Sequence, residues 1–118
     1  PEYPVYLQWL HFAEGMMMGP IGNYVVEKIL LPPERSSEAH AKRAVKLVGN
    51  LLKSVNAHLE GREYLAGEFS AADTLTGHAC IVSARLGVDY SVTPNVQAYV
   101  ERLKARPALA KVLALRDA

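Results

Sequence analysis

The stretch "EFSAADTLTGHACIVSARLG", residues 68–87, decides the fold. Between Asp73 and Arg85 no side chain carries a fixed charge, yet Asp73 stands at the mouth of this apolar run, three residues after Ser70. The S-x-x-D spacing is a variant of the capping box. A helix start leaves four amide hydrogens without intrahelical partners, and each one buried unpaired costs roughly 1–3 kcal/mol. In the box the Ser70 hydroxyl accepts from the amide of Asp73, and the Asp73 carboxylate accepts from the amide of Ser70. The carboxylate also meets the positive end of the helix dipole. Leu75, Ala79, Val82 and Leu86 line one side of the helix that follows, and Ala72, Ile81 and Ala84 cover much of the rest. Such a helix belongs in the middle of a bundle. No second acid lies nearby in sequence to form an acid–base pair, so Asp73 is read as a cap and not as a catalyst.

Outward from this rod, the pattern is helical in both directions. Towards the N-terminus, Val5, Trp9, Phe12 and Met16 recur at helical spacing over residues 3–31, as do Leu7, Leu10 and Met18. Gly19-Pro20 is expected to bend that helix. Gly15, Gly19 and Gly22 form a smooth seam suited to close packing or to approach of a ligand or partner. Pro32 and Pro33 end the helix, and Ser36 or Ser37 can cap the next. That helix carries Ala41, Ala44, Val45, Val48, Leu52, Val55 and Leu59 as a stripe. Gly61 closes it. Beyond residue 87, Thr93 can cap a fourth helix with Pro94 in its first position. Val96, Tyr99, Val100 and Leu103 mark that helix, and a short last one follows Pro107. No segment alternates with period two. The chain reads as all-α, a single bundle of about five helices over residues 1–118.

Composition excludes several classes. The chain's 118 residues suffice for one domain. Thirteen basic against twelve acidic side chains leave a net charge of +1, no electrostatic footprint for nucleic acid or an anionic membrane. Cys80 is the single cysteine, so no internal disulfide forms. Flanked by Ala79, Ile81 and Val82, it is expected to be buried and inert. His11, His40, His58 and His78 lie at no metal-ligand spacing with one another or with Cys80, and no metal site is expected. Apolar windows are broken by His11, Glu14 and Pro20, or by His78 and Arg85, so no membrane span and no leader is expected. The chain starts at Pro1 and not Met, which suggests a fragment or an excised domain.

The longer strings "YLAGEFSAADTLTGHACIVSARLG" and "TPNVQAYVERLKARPALAKVLA" resemble the C-terminal helical domain of cytosolic glutathione transferases. The shared features are L-x-G, then F-S-x-A-D opening the central helix, then P-N-x-x-x-Y-x-x-R and R-P-A. The opening "YLQWLHFAEGMM" resembles the first long helix of that domain in bacterial members, so the likeness covers essentially the whole chain. Two positions depart from the pattern. Thr74 weakens the staple to Phe69, and His78 adds a polar group to the helix that would need a partner if buried.

The resemblance implies a parent enzyme of two domains. A thioredoxin-like N-terminal domain, absent from this chain, would bind glutathione as co-substrate and carry the activating Ser, Tyr or Cys. This chain, inactive alone, would supply the site for a hydrophobic small-molecule electrophile. In the family the first helix faces the cleft. Phe12, Met16 and His11 are therefore the expected lining, with Gln8 and Gly15 as further candidates, and the three consecutive methionines give a soft, adaptable surface. His11 also fits a hydrogen-bonded edge residue. The resemblance further implies a cytoplasmic homodimer with a role in detoxification, paired through the first two helices and the partner's N-terminal domain. Two alternatives stay open: a non-catalytic dimerisation or interaction module, and a glutathione-dependent isomerase, reductase or dehalogenase on the same scaffold.

Overall fold

A computed structural model describes residues 2–117. Six α-helices follow in order: α1 (Tyr3–Phe12), α2 (Met18–Val25), α3 (Glu38–His58), α4 (Ala71–Ser83), α5 (Pro94–Lys104) and α6 (Pro107–Arg116). α1 and α2 are two lengths of one rod, residues 3–30, so the bundle has five rods. Among the described residues there is no strand, only a single bridge between Tyr64 and Gly67. No described helix is long and apolar enough to cross a membrane.

The first rod is not a uniform helix. A π-helical turn, Ala13–Met17, joins α1 to α2, and a second, Val26–Leu30, ends the rod. Met18 and Leu31 accordingly donate to carbonyls five residues back, on Ala13 and Val26. At Gly19-Pro20, where a bend is expected, the helix is not interrupted: α2 runs through Pro20, and the irregular turn lies just before it. The inward stripe also differs from the expected one. Trp9, Ala13, Met17 and Ile21 are buried at intervals of four, while Met16 stays outside. In a regular α-helix each step of four overshoots by about 40°. The wider π turn takes up part of that excess and keeps all four against the bundle.

Helix α3 starts as expected, with the Ser37 hydroxyl accepting from the His40 amide at 3.2 Å. Glu27 of the first rod adds a second clamp, accepting from the Ser37 amide at 2.6 Å. Gly61, at φ +70°, turns the chain after α3 in a conformation that side chains with a Cβ resist. α5 begins at Pro94 with Thr93 in the N-cap position, as expected, but the Thr93 side chain makes no capping bond. The amides of Asn95 and Val96 donate instead to Asn56 Oδ1 of α3, at 2.8 and 3.3 Å. Asn95 Nδ2 returns a bond to the Asn56 carbonyl at 3.1 Å.

Helix α4 begins as the sequence predicts. Ser70 is its cap, and the box closes in both directions. The shortest bond from the hydroxyl goes to Ala72, whose amide donates at 3.3 Å, and Asp73 Oδ2 accepts from the Ser70 amide at 2.9 Å. The buried side of α4 differs from the expectation. Small residues face inward: Ala72, Thr76, Gly77, Ala79, Cys80 and Ser83 are all buried. Leu75 is 42% exposed and His78 is exposed, so the histidine needs no buried partner. The reason is close approach: a Cβ on Gly77 would lie 2.6 Å from Leu103 Cδ1 and 3.0 Å from the Tyr99 hydroxyl. α1 packs on α4, α2 on α3, and α5 touches α3, α4 and α6.

Candidate functional site

The five predicted lining residues fall on one length of the first rod, residues 8–16, across the end of α1 and the π turn. Gln8, His11, Gly15 and Met16 are exposed, Met16 at 51%. Phe12 is half-buried. Nothing lies within 4 Å of the position a Cβ on Gly15 would take, so the surface there is open. Three cavities elsewhere among the described residues are lined by other side chains. Glu14, also exposed, is the only fixed charge of the strip.

What lies beneath the strip is rigid. The Phe12 ring rests on Trp9, centroid to centroid 4.7 Å, and Trp9 in turn stacks on His58 of α3 at 4.5 Å. The Thr76 hydroxyl of α4 donates to the Trp9 carbonyl at 2.5 Å, fixing the backbone below Phe12. His58 Nε2 sits 2.6 Å from the Leu65 carbonyl. A carbonyl only accepts, so Nε2 carries the proton in this bond. The Leu65 amide donates to Asp73 Oδ1 at 3.1 Å, and the Tyr99 hydroxyl donates to the same oxygen at 2.7 Å. One connected path therefore runs from the cap of α4 through Leu65, His58 and Trp9 to Phe12.

The Asp73 end of this path is dry. Asp73 is 2% exposed, and its oxygens receive three hydrogen bonds, from Ser70, Leu65 and Tyr99. Burial, reinforced by the bond to Asp73, raises the Tyr99 hydroxyl pKa well above its ordinary value, so Tyr99 is a donor and not a base. Burial also pushes the Cys80 thiol up to about 12. A thiol so held is a poor nucleophile at neutral pH. Tyr90 donates to the Cys80 carbonyl, and its own hydroxyl pKa is raised mainly by burial. Among the described residues no three His, Cys, Asp or Glu side chains converge to hold a metal.

Sequence reasoning placed the Ser70 and Asp73 box but missed the supports between it and the first rod. His58 and Leu65 belong to different segments from Trp9, and nothing local marks them as neighbours. Tyr99 was legible as one of the residues that mark the fourth helix and as a letter of a motif, but not as a donor to Asp73.

The description "Glutathione S-transferase, C-terminal domain" matches residues 18–107, most of the chain. The strip at 8–16 lies just before that span. Among solved structures, a glutathione transferase from Burkholderia graminis, with two glutathione molecules bound per subunit, is 27% identical with a TM-score of 0.79. The likeness covers 90% of this chain and 47% of that one. A glutathione transferase from Phanerochaete chrysosporium, in complex with oxidized glutathione, is 22% identical with a TM-score of 0.85, over 98% of this chain and 54% of that one. A possible glutathione transferase from Rhodopseudomonas palustris is 24% identical with a TM-score of 0.76, over 90% and 49%. The last two likenesses bear on the fold. The chain thus spans about half the length of these structures. No curated protein sequence matches it.

Proposed function

Because the chain belongs to the glutathione S-transferase C-terminal domain family, we propose that it is the helical half of a glutathione transferase and forms the apolar side of the acceptor site. A thioredoxin-like N-terminal domain would bind the co-substrate glutathione and supply the group that activates its thiol. The chemistry is attack of a thiolate on an electrophilic carbon, because the protonated thiol is a poor nucleophile. The activating group is assigned to that domain and not to the strip. Its part is to hold the electrophile against Phe12 and Met16, with Gln8, His11 and Gly15 at the edges. Met16 adapts to varied shapes, while the Trp9–His58 stack keeps Phe12 in place. A cytoplasmic detoxification role fits such an adaptable surface.

The observation that carries this reading is the exposed strip at residues 8–16 laid over a fixed aromatic floor, in a chain of this family. A homodimer through the first two rods is part of the proposal. Val26, Ile29 and Leu30 of the first rod and Leu47 of α3 are all more than 40% exposed, apolar surface that a partner would cover. The test uses the protein carrying both halves. It should be retained on immobilised glutathione and conjugate glutathione to an apolar aryl halide, while residues 1–118 alone do neither. Turnover by the isolated chain, or no retention of the longer protein, would contradict the proposal.

A further inference from the structure

The first rod changes phase where it crosses α4, and the change decides which methionine faces outward. Each residue of a regular α-helix advances by about 100°. Such a helix carried on from Trp9 would bring Met16 to within about 20° of the Trp9 direction and leave Met17 about 80° away from it. Met16 would then be the buried one. The opposite is found: Met17 is fully buried and Met16 is 51% exposed. The π turn Ala13–Met17 lies between Trp9 and α2 and supplies the difference. Hydrophobicity does little to choose between the two registers. Met16 and Met17 are the same flexible side chain, and either can fill the space in the core. A Cβ on Gly15 or Gly19 would meet nothing within 4 Å, so no steric stop fixes the phase at those positions.

A directional contact does distinguish them. Thr76, fully buried on α4, donates from its hydroxyl to the Trp9 carbonyl, 67 residues away in sequence. Among the described residues no other side chain donates to the main chain of residues 3–30. Trp9 precedes Ala13 by four residues, so in a regular helix its carbonyl is the partner of the Ala13 amide. A hydroxyl inserted at that rung gives the carbonyl another donor and loosens the ladder there. The turn can then widen without leaving a buried carbonyl unpaired. With the two burial terms nearly equal, one such bond is enough to tip the balance.

We propose that Thr76 is a positioning residue: its bond to Trp9 selects the register in which Met17 fills the core and Met16 is presented on the strip. It acts through Trp9 and does not reach the strip itself. Its consequence for the electrophile rests on the acceptor reading above, whereas the register does not. Methionine oxidation reads the register in the 118-residue chain. Dilute hydrogen peroxide, followed by fragmentation mass spectrometry, should oxidise Met16 readily and Met17 slowly, as their exposure dictates. Thr76→Val keeps the shape and removes the donor. It should lower the ratio of the Met16 rate to the Met17 rate about tenfold, the scale on which losing one buried hydrogen bond shifts an equilibrium. A change of register slows Met16 as well as speeding Met17, whereas general opening of the fold speeds Met17 alone. Thr76→Ser, which keeps the donor, should hold the ratio of the unaltered chain. So should Ser83→Ala, which removes another buried hydroxyl of α4, one bonded to Ala79 of its own helix. In the protein carrying both halves, Thr76→Val should raise KM for the apolar electrophile severalfold and leave KM for glutathione constant. A lowered ratio with an unchanged electrophile KM would support the role of Thr76 and count against the acceptor reading. An unchanged ratio in Thr76→Val, a Met17 rate that rises with no fall at Met16, or an equal fall of the ratio in Thr76→Ser or Ser83→Ala would overturn the proposal.

Discussion

The start of α4 and the outer face of α1 lie at the two ends of one path of contacts, and they are completed to very different degrees. At Asp73 every polar atom has its partner inside the chain, and water is excluded. At Gln8, His11 and Met16 the side chains face outward and no second layer covers them. The lesson is a division of labour along one path. The dry end holds the fold, and a chain of contacts through Leu65, His58 and Trp9 links it to the floor of the open end. Substitutions at the two ends should therefore separate stability from recognition.

The largest loss of stability is expected at the dry end. Asp73→Ala leaves the amides of Leu65 and Ser70 and the Tyr99 hydroxyl without an acceptor, and should cost about 3–5 kcal/mol in denaturant unfolding. A loss below about 0.5 kcal/mol, the range of an ordinary surface change, would erase the contrast. Gly77→Ala comes next. Helix propensity alone would favour alanine by about 1 kcal/mol. The new methyl meets Leu103 and a Tyr99 hydroxyl pinned by Asp73, so overpacking should win, with a net loss of about 1–2 kcal/mol. Asn56→Ala removes the cap that α3 lends to α5 and should cost about 1–2 kcal/mol.

A smaller effect is confined to alkaline solution. Burial raises the Cys80 pKa from 9.0 to about 12 in the folded chain. The folded state keeps a proton that the unfolded state has released, so this contribution is complete below pH 9 and fades as pH rises towards 12. Cys80→Ala should flatten the fall of stability with pH across that window. An unchanged slope would place the thiol in contact with water. Least of all, Met16→Ala should move unfolding by no more than about 0.5 kcal/mol, because an exposed side chain has little packing to lose.

Legibility from sequence follows the range of the interactions. The box at Ser70 and Asp73, the Ser37 cap and the prolines opening α5 and α6 each depend on residues within a few positions of one another. Their spacing carries the information. The cap on α5 comes from Asn56, 39 residues away, and the second acceptor role of Asp73 serves Tyr99, 26 residues away. No local pattern announces either. Which face of α4 is buried was also hidden, because hydrophobicity points to Leu75 while the geometry demands the small side of the helix at Gly77. The move from Met16 to Met17 has a similar origin: a π turn changes the phase of the stripe, and a fixed 3.6-residue period cannot register it. The strip was readable as a place on the first helix. Its floor, built from α3 and α4, was not.

The most direct test of this account is made at the open end of the path. In the protein carrying both halves, Phe12→Ala combined with Met16→Ala should raise KM for the apolar electrophile about tenfold or more, since each buried methylene is worth about 0.8 kcal/mol. KM for glutathione should stay constant, and circular dichroism should show the helical fold intact. Unchanged KM for both substrates in a folded variant would contradict the account, and so would a rise in the glutathione KM alone.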